Sequence, residues 1–135
     1  MIEYQKISLR VVQTDKETNE KSEIYSGSAL KSIDNTLIVL HYRETVIPFA
    51  EVSLQIEGEN VRISRVFESG TELNFKVGQQ TSASVSTPYG VLAMDVQTDL
   101  LTRNDAHIHI DYRLLNGDEY IGGFISDWYI EENKQ

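Results

Sequence analysis

Glu51-Val52-Ser53-Leu54-Gln55-Ile56-Glu57-Gly58-Glu59-Asn60-Val61-Arg62-Ile63-Ser64-Arg65 is the stretch that decides the fold. Val52, Leu54 and Ile56 alternate with Glu51, Ser53 and Gln55, and the alternation resumes at Val61 and Ile63 after Gly58-Glu59-Asn60. Successive Cβ atoms of a strand point to opposite sides, so a period of two puts one set on a buried face and the other in water. The interruption is short enough for a hairpin. The stretch therefore predicts two antiparallel strands, each with one wet face.

The same period recurs in both directions. Ile7, Leu9 and Val11 alternate with Lys6, Ser8 and Arg10, and Leu73, Phe75 and Val77 with Glu72, Asn74 and Lys76. Leu92, Met94 and Val96 share one parity, as do Ile108, Ile110 and Tyr112. Turn signals separate the runs: the charged segment 15–20, Ser69-Gly70, Gly78-Gln79-Gln80, Thr87-Pro88-Tyr89-Gly90 and Asn116-Gly117-Asp118. In the fourth of these, Pro88 presets φ and Gly90 permits positive φ. Strands are expected near 3–14, 22–31, 35–44, 49–57, 61–68, 71–78, 80–87, 91–98, 106–115 and 119–131. The stretch 98–106 is the best place for a helical turn.

Short strands joined mostly by tight turns suggest an all-β, antiparallel up-and-down meander. Closing it into a barrel of about 8–10 strands removes the exposed edges. The chain of 135 residues is expected to be a single domain, 1–135. It carries 12 Lys+Arg against 21 Asp+Glu, a net charge of −9, which makes it a poor partner for nucleic acid phosphates. No apolar run approaches the ~20 residues a membrane helix needs, so no membrane partner is expected. Zero cysteines leave no disulfide framework, zinc thiolate or Cys nucleophile. The start Met1-Ile2-Glu3-Tyr4-Gln5-Lys6 lacks the basic and apolar regions of a secretory signal, and the expected location is cytoplasmic.

If odd residues of 61–67 point inward, Arg65 stands on an apolar face with Val61, Ile63 and Phe67. A guanidinium cannot neutralise itself, so it must be paired or reach the barrel mouth. The even parity of 36–44 places Tyr42 and Glu44 beside Ile38 and Leu40, and makes Glu44 a partner for Arg65. Two readings stay open: a structural ion pair that fixes register, or a fork that clamps an anionic ligand. The small side chains of 81–87 fit either a tightly packed strand or a cavity wall. Tyr89 and Met94 are candidate wall residues beside them, and Trp128 either closes the core or stacks on a ligand.

His107, His109 and Asp111 share one strand face, a familiar metal-ligand spacing. Their parity opposes Ile108, Ile110 and Tyr112, so the motif reads as a solvated face and no metal or other cofactor is assigned. There is no Gly-x-Ser-x-Gly elbow, P-loop, dinucleotide glycine fingerprint or His-Glu-x-x-His, so no catalytic residue is assigned.

A resemblance adds to this. Tyr42-Arg43-Glu44, Val61-Arg62-Ile63-Ser64-Arg65, Thr87-Pro88-Tyr89-Gly90 with Leu92, Met94 and Thr98, and Ile108-His109-Ile110-Asp111-Tyr112 carry it. Gly27-Ser28-Ala29 and Gly122, placed before the last strand, extend it. The chain resembles the YwiB-like family of uncharacterised bacterial proteins. The resemblance implies a calycin-type barrel, the architecture of lipocalins, and implies no reaction. The expected function is binding of a small, partly apolar or anionic ligand by Arg65, Tyr42, Glu44, Tyr89, Met94 and Trp128. The rival is a filled barrel serving as an interaction module, as a monomer or homodimer.

Overall fold

Ten antiparallel strands close into one barrel in a computed structural model that describes residues 2–68 and 70–132. They are β1 (Glu3–Asp15), β2 (Lys21–Asp34), β3 (Leu37–Arg43), β4 (Glu51–Glu57), β5 (Asn60–Val66), β6 (Gly70–Lys76), β7 (Gln80–Thr87), β8 (Gly90–Arg103), β9 (His107–Asn116) and β10 (Glu119–Glu132). Each strand pairs with its sequence neighbour, and β1 pairs with β10 as well as β2, so the meander has no free edge. The hairpin read from 51–65 is present, with Glu57 opposite Asn60 and Gly58 at a φ of 60° in the turn. Ser69 of the Ser69-Gly70 turn lies outside the described residues.

Parity decides what faces inward. Ile7, Leu9 and Val11 of β1, Leu40 and Tyr42 of β3, Val52, Leu54 and Ile56 of β4, and Ile108, Ile110 and Tyr112 of β9 are all buried in one cluster. Phe75, Val61, Val96 and Trp128 belong to it as well, and each large apolar side chain withdrawn from water stabilises by roughly 1.5–3 kcal/mol. The middle of the barrel is thus filled by side chains. Its lower end is closed by polar groups. Arg103 donates to the Gly58 carbonyl at 3.1 Å, and the inward, buried Lys31 lies 3.8 Å from Glu132.

Several local expectations are corrected. The stretch 98–106 does not form a helical turn. β8 runs on to Arg103 through a bulge between Thr98 and Leu100, which resets the parity so that Leu101 packs against the core. Gly122 lies inside β10, at a second bulge, where the Phe124 ring leaves no room for a freely placed Cβ. Phe67 is not a core residue, because β5 ends at Val66 and the ring is turned out under Arg65. Val77 lies beyond β6 and is exposed. Among the described residues no helix is long and apolar enough to cross a membrane.

Candidate functional site

The inward parity of β3 ends at Tyr42, and that of β5 ends at Arg65. The register runs Tyr42 opposite Val52 and Val52 opposite Arg65, so both side chains sit at one level near the upper mouth. Beyond β3 the chain leaves the sheet, and the Glu44 amide donates to the Ala50 carbonyl at 2.9 Å. That bond fixes the base of the loop 44–50. The Glu44 side chain then reaches back to Arg65.

The two form a fork. Arg65 Nε lies 3.2 and 3.1 Å from the two carboxylate oxygens of Glu44, and Nη2 lies 2.8 Å from Oε1. Glu44 is the more enclosed partner, its side chain 16% exposed against 37% for Arg65. Hydrogen bonding to Glu44 raises the pKa of Arg65 still further, so its charge is permanent. The Arg65 guanidinium also lies 5.3 Å from the centroid of the Phe67 ring.

Below this pair the mouth opens into a cavity of about 490 Å³. Tyr42, Val52, Ile63, Leu73, Tyr112 and Trp128 line it, and Ile24, Val46 and Ile47 rim it. Burial, opposed by the Trp128 indole and reinforced by Glu44, pushes the Tyr42 hydroxyl up to about 12. Tyr42 is therefore a neutral hydroxyl at ordinary pH. Its ring packs at 4.6 Å from that of Tyr25, whose own pKa burial also raises. The Trp128 N–H lies close enough to Tyr42 to affect its ionisation, yet it makes no complete hydrogen bond and is buried. Tyr112 is satisfied by Ser126 and Gln13, which offset part of the pKa rise caused by its burial.

The structure thus brings together four of the six expected ligand residues: Arg65, Tyr42, Glu44 and Trp128. Trp128 is also the core residue opposite Val11 where β10 meets β1 and the barrel closes. The other two do not join them. Tyr89 is fully exposed on the β7–β8 turn, because Pro88 and Gly90 carry the chain past the sheet. Met94 packs against the core cluster and does not line the cavity. Gln13, Ser126 and Tyr112 were not singled out. The signal was available, since each continues an inward parity set by Val11, Trp128 and Ile110.

The His-x-His segment faces outward, as its parity requires. Asp111 does not join it, because Lys16 Nζ lies 2.6 Å from its Oδ1. Asp127 of β10, directly opposite His109, takes that place. His107 Nε2 and His109 Nδ1 lie 2.7 and 2.6 Å from the same oxygen, Asp127 Oδ1.

Residues 7–125 match the family model described as Domain of unknown function (DUF1934). Among curated proteins, none matches the chain. The fold is similar to that in the crystal structure of the ywiB protein from Bacillus subtilis, with a TM-score of 0.79 at 15% identity. That likeness covers 97% of this chain and 94% of the other.

Proposed function

The chain belongs to the DUF1934 family, and for this member we propose that the open end of the barrel binds one small, partly apolar molecule carrying an acceptor oxygen. The Trp128 N–H carries this reading. An indole nitrogen can only donate, and a buried donor left without a full partner costs about 1–3 kcal/mol. The Trp128 indole lines a cavity whose remaining walls are largely apolar, while its Nε1 is itself covered and lies beside Tyr42. A carbonyl or carboxylate oxygen of a ligand would satisfy it once the side chains covering Nε1 move aside, with the neutral Tyr42 hydroxyl as a second donor. The apolar part of the ligand would lie against Val52, Ile63 and Leu73. The volume falls within the ~300–1,000 Å³ usual for small-molecule sites.

Charge shapes the headgroup. Arg65 is already engaged by Glu44 through Nε and Nη2, and Glu23 at the rim is paired with Arg10. An anionic ligand would have to exchange with Glu44, so a neutral acceptor group is favoured. Trp128 is the one tryptophan of the chain, and its fluorescence reports on the cavity directly. Native mass spectrometry of protein purified from its host should show a co-purifying small molecule, and removing it should shift Trp128 emission. Ile63→Phe, which fills the cavity, should abolish both effects. A ligand-free barrel in the host preparation and emission indifferent to Ile63→Phe would defeat the proposal.

A second reading rests on the surface of the same end. Val46 and Ile47 are 71% and 80% exposed, and Val66, Phe67, Tyr89 and Val91 are exposed too. Such a rim also suits an interaction module. Sedimentation that shows self-association, reversed by Ile47→Lys, would favour it.

A further inference from the structure

We propose that His107, His109 and Asp127 form a binding site for one borderline divalent transition metal, Zn²⁺ first, on the outer wall of the barrel. The site lies on the outward face of the wall whose inner face carries Trp128, at the start of β9 and the middle of β10. Three observations carry it.

The first is donor type and convergence. Two imidazole nitrogens and one carboxylate oxygen all lie within 4.8 Å of one another. Imidazole with carboxylate is a normal zinc set, and three protein donors leave a further position for water. Ligands at ~2.0–2.1 Å from tetrahedral zinc stand ~3.3 Å apart, so the present 2.6–2.7 Å contacts to Asp127 need to open by about 0.6–0.7 Å, and the two ring nitrogens, at most 4.8 Å apart, need to settle at that same spacing.

The second is the charge. Asp127 is 9% exposed although it lies on the outward parity, and its side chain is 13% exposed. Among the described residues its ion-pair partners are His107 and His109 and no lysine or arginine. Among the described residues, this enclosed carboxylate is thus left without the fixed positive charge of a lysine or arginine partner. A divalent cation supplies one while both rings stay neutral, the form in which they ligate.

The third is preorganisation. The two histidines stand two residues apart on β9, and Asp127 is registered opposite His109 on β10, so the backbone ladder sets the spacing. The Tyr129 ring stacks on His107 at 4.6 Å and 9°, and Arg10 lies over Tyr129 while bound to Glu23 at 2.8 Å. This stack holds one ring in place without using its ligating nitrogen. His107 and His109 side chains are 36% and 25% exposed, which leaves a route for the ion.

The test is a ZnCl₂ titration of the full chain, chelator-treated beforehand, followed by calorimetry and by the ring signals of its three histidines in NMR spectra. One equivalent should bind, His107 and His109 should shift while His41 stays, and the melting temperature should rise. His109→Gln and Asp127→Asn should each remove the equivalent, and His41→Gln should leave it intact. The NMR readout needs only the wild-type chain, so a poorly folding variant does not protect the idea. No saturable binding, binding that survives both ligand substitutions, or a shift centred on His41 would each overturn it.

Discussion

Replacing Arg65 by Met removes the cation from the fork at the barrel mouth and leaves the Glu44 carboxylate behind. The cost follows from where each partner sits. Breaking a fully buried pair costs about 3–5 kcal/mol, and an exposed pair is worth about 0–1 kcal/mol. Glu44 is 16% exposed at its side chain, but Arg65 is 37% exposed, so solvent screens the pair and the upper range is discounted. The expected loss is about 1–2 kcal/mol. The opposite substitution, Glu44→Gln, should cost less. It strands the more exposed partner, which can reach water and keeps its contact with the Phe67 ring. Urea unfolding of wild type, both single variants and Arg65→Met/Glu44→Gln completes a double-mutant cycle. The double variant should be more stable than the sum of single losses predicts, by about 1 kcal/mol. Strict additivity, or a larger loss for Glu44→Gln than for Arg65→Met, would refute the pairing argument.

Other outcomes follow from single groups. Tyr42 ionises near 12 when folded against 10.0 ordinarily, so its neutral form contributes stability that is complete below pH 10 and lost as pH rises through 12. The stability gap between wild type and Tyr42→Phe, measured by urea unfolding, should shrink across that window by roughly 2–3 kcal/mol, and a constant gap would contradict the assignment. Asp99 is held below its ordinary 3.8 by the hydrogen bonds of Arg113, so its contribution is present above that value and vanishes as pH falls through the lower folded one. Both side chains are exposed to about a third or more, so Asp99→Asn should cost only about 0.2–1 kcal/mol at neutral pH and nothing in strong acid. Thr98 is 1% exposed with a hydroxyl that has no hydrogen-bond partner, and Thr98→Val should raise stability by about 1 kcal/mol in thermal unfolding. A loss there would mean that the hydroxyl is satisfied.

Alternation was enough to read the strands because each one has a single wet face. All ten expected strands are present, and those at 80–87 and 119–131 match β7 and β10 within a residue. Arg65 and Glu44 were legible for the same reason, since parity fixes the face and both stand at strand ends. The failures share a cause too. The bulge at Thr98–Leu100 inserts one residue, so the pattern beyond Thr98 loses its period of two and imitates a non-strand segment. Tyr89 and Met94 stand near a small-residue strand in sequence, whereas the cavity is lined from β1 to β6 and from β9 and β10, not from β7 or β8. Asp127 could not be matched to His109 by local spacing, because the two are 18 residues apart and meet only through the β9–β10 register.

Two buried polar groups without a complete partner, Thr98 Oγ1 and Trp128 Nε1, mark the difference between the filled and open parts of this barrel. Thr98 is 1% exposed and does not line the mouth cavity, so its hydroxyl is only a cost. The Trp128 indole lines the cavity, and on the proposed reading an incoming oxygen meets its N–H by displacing the side chains that cover it. The same defect therefore has opposite consequences at the two positions. Under the proposed function, satisfying the indole would make ligand binding more favourable by the desolvation already incurred in folding, about 1–3 kcal/mol. The barrel wall is continuous, yet the aromatic and aliphatic filling of its middle confines such binding to the mouth. If the proposed ligand binding holds, specificity would depend on Tyr42, Trp128 and the Glu44–Arg65 fork, and not on the volume a ten-stranded barrel could otherwise enclose.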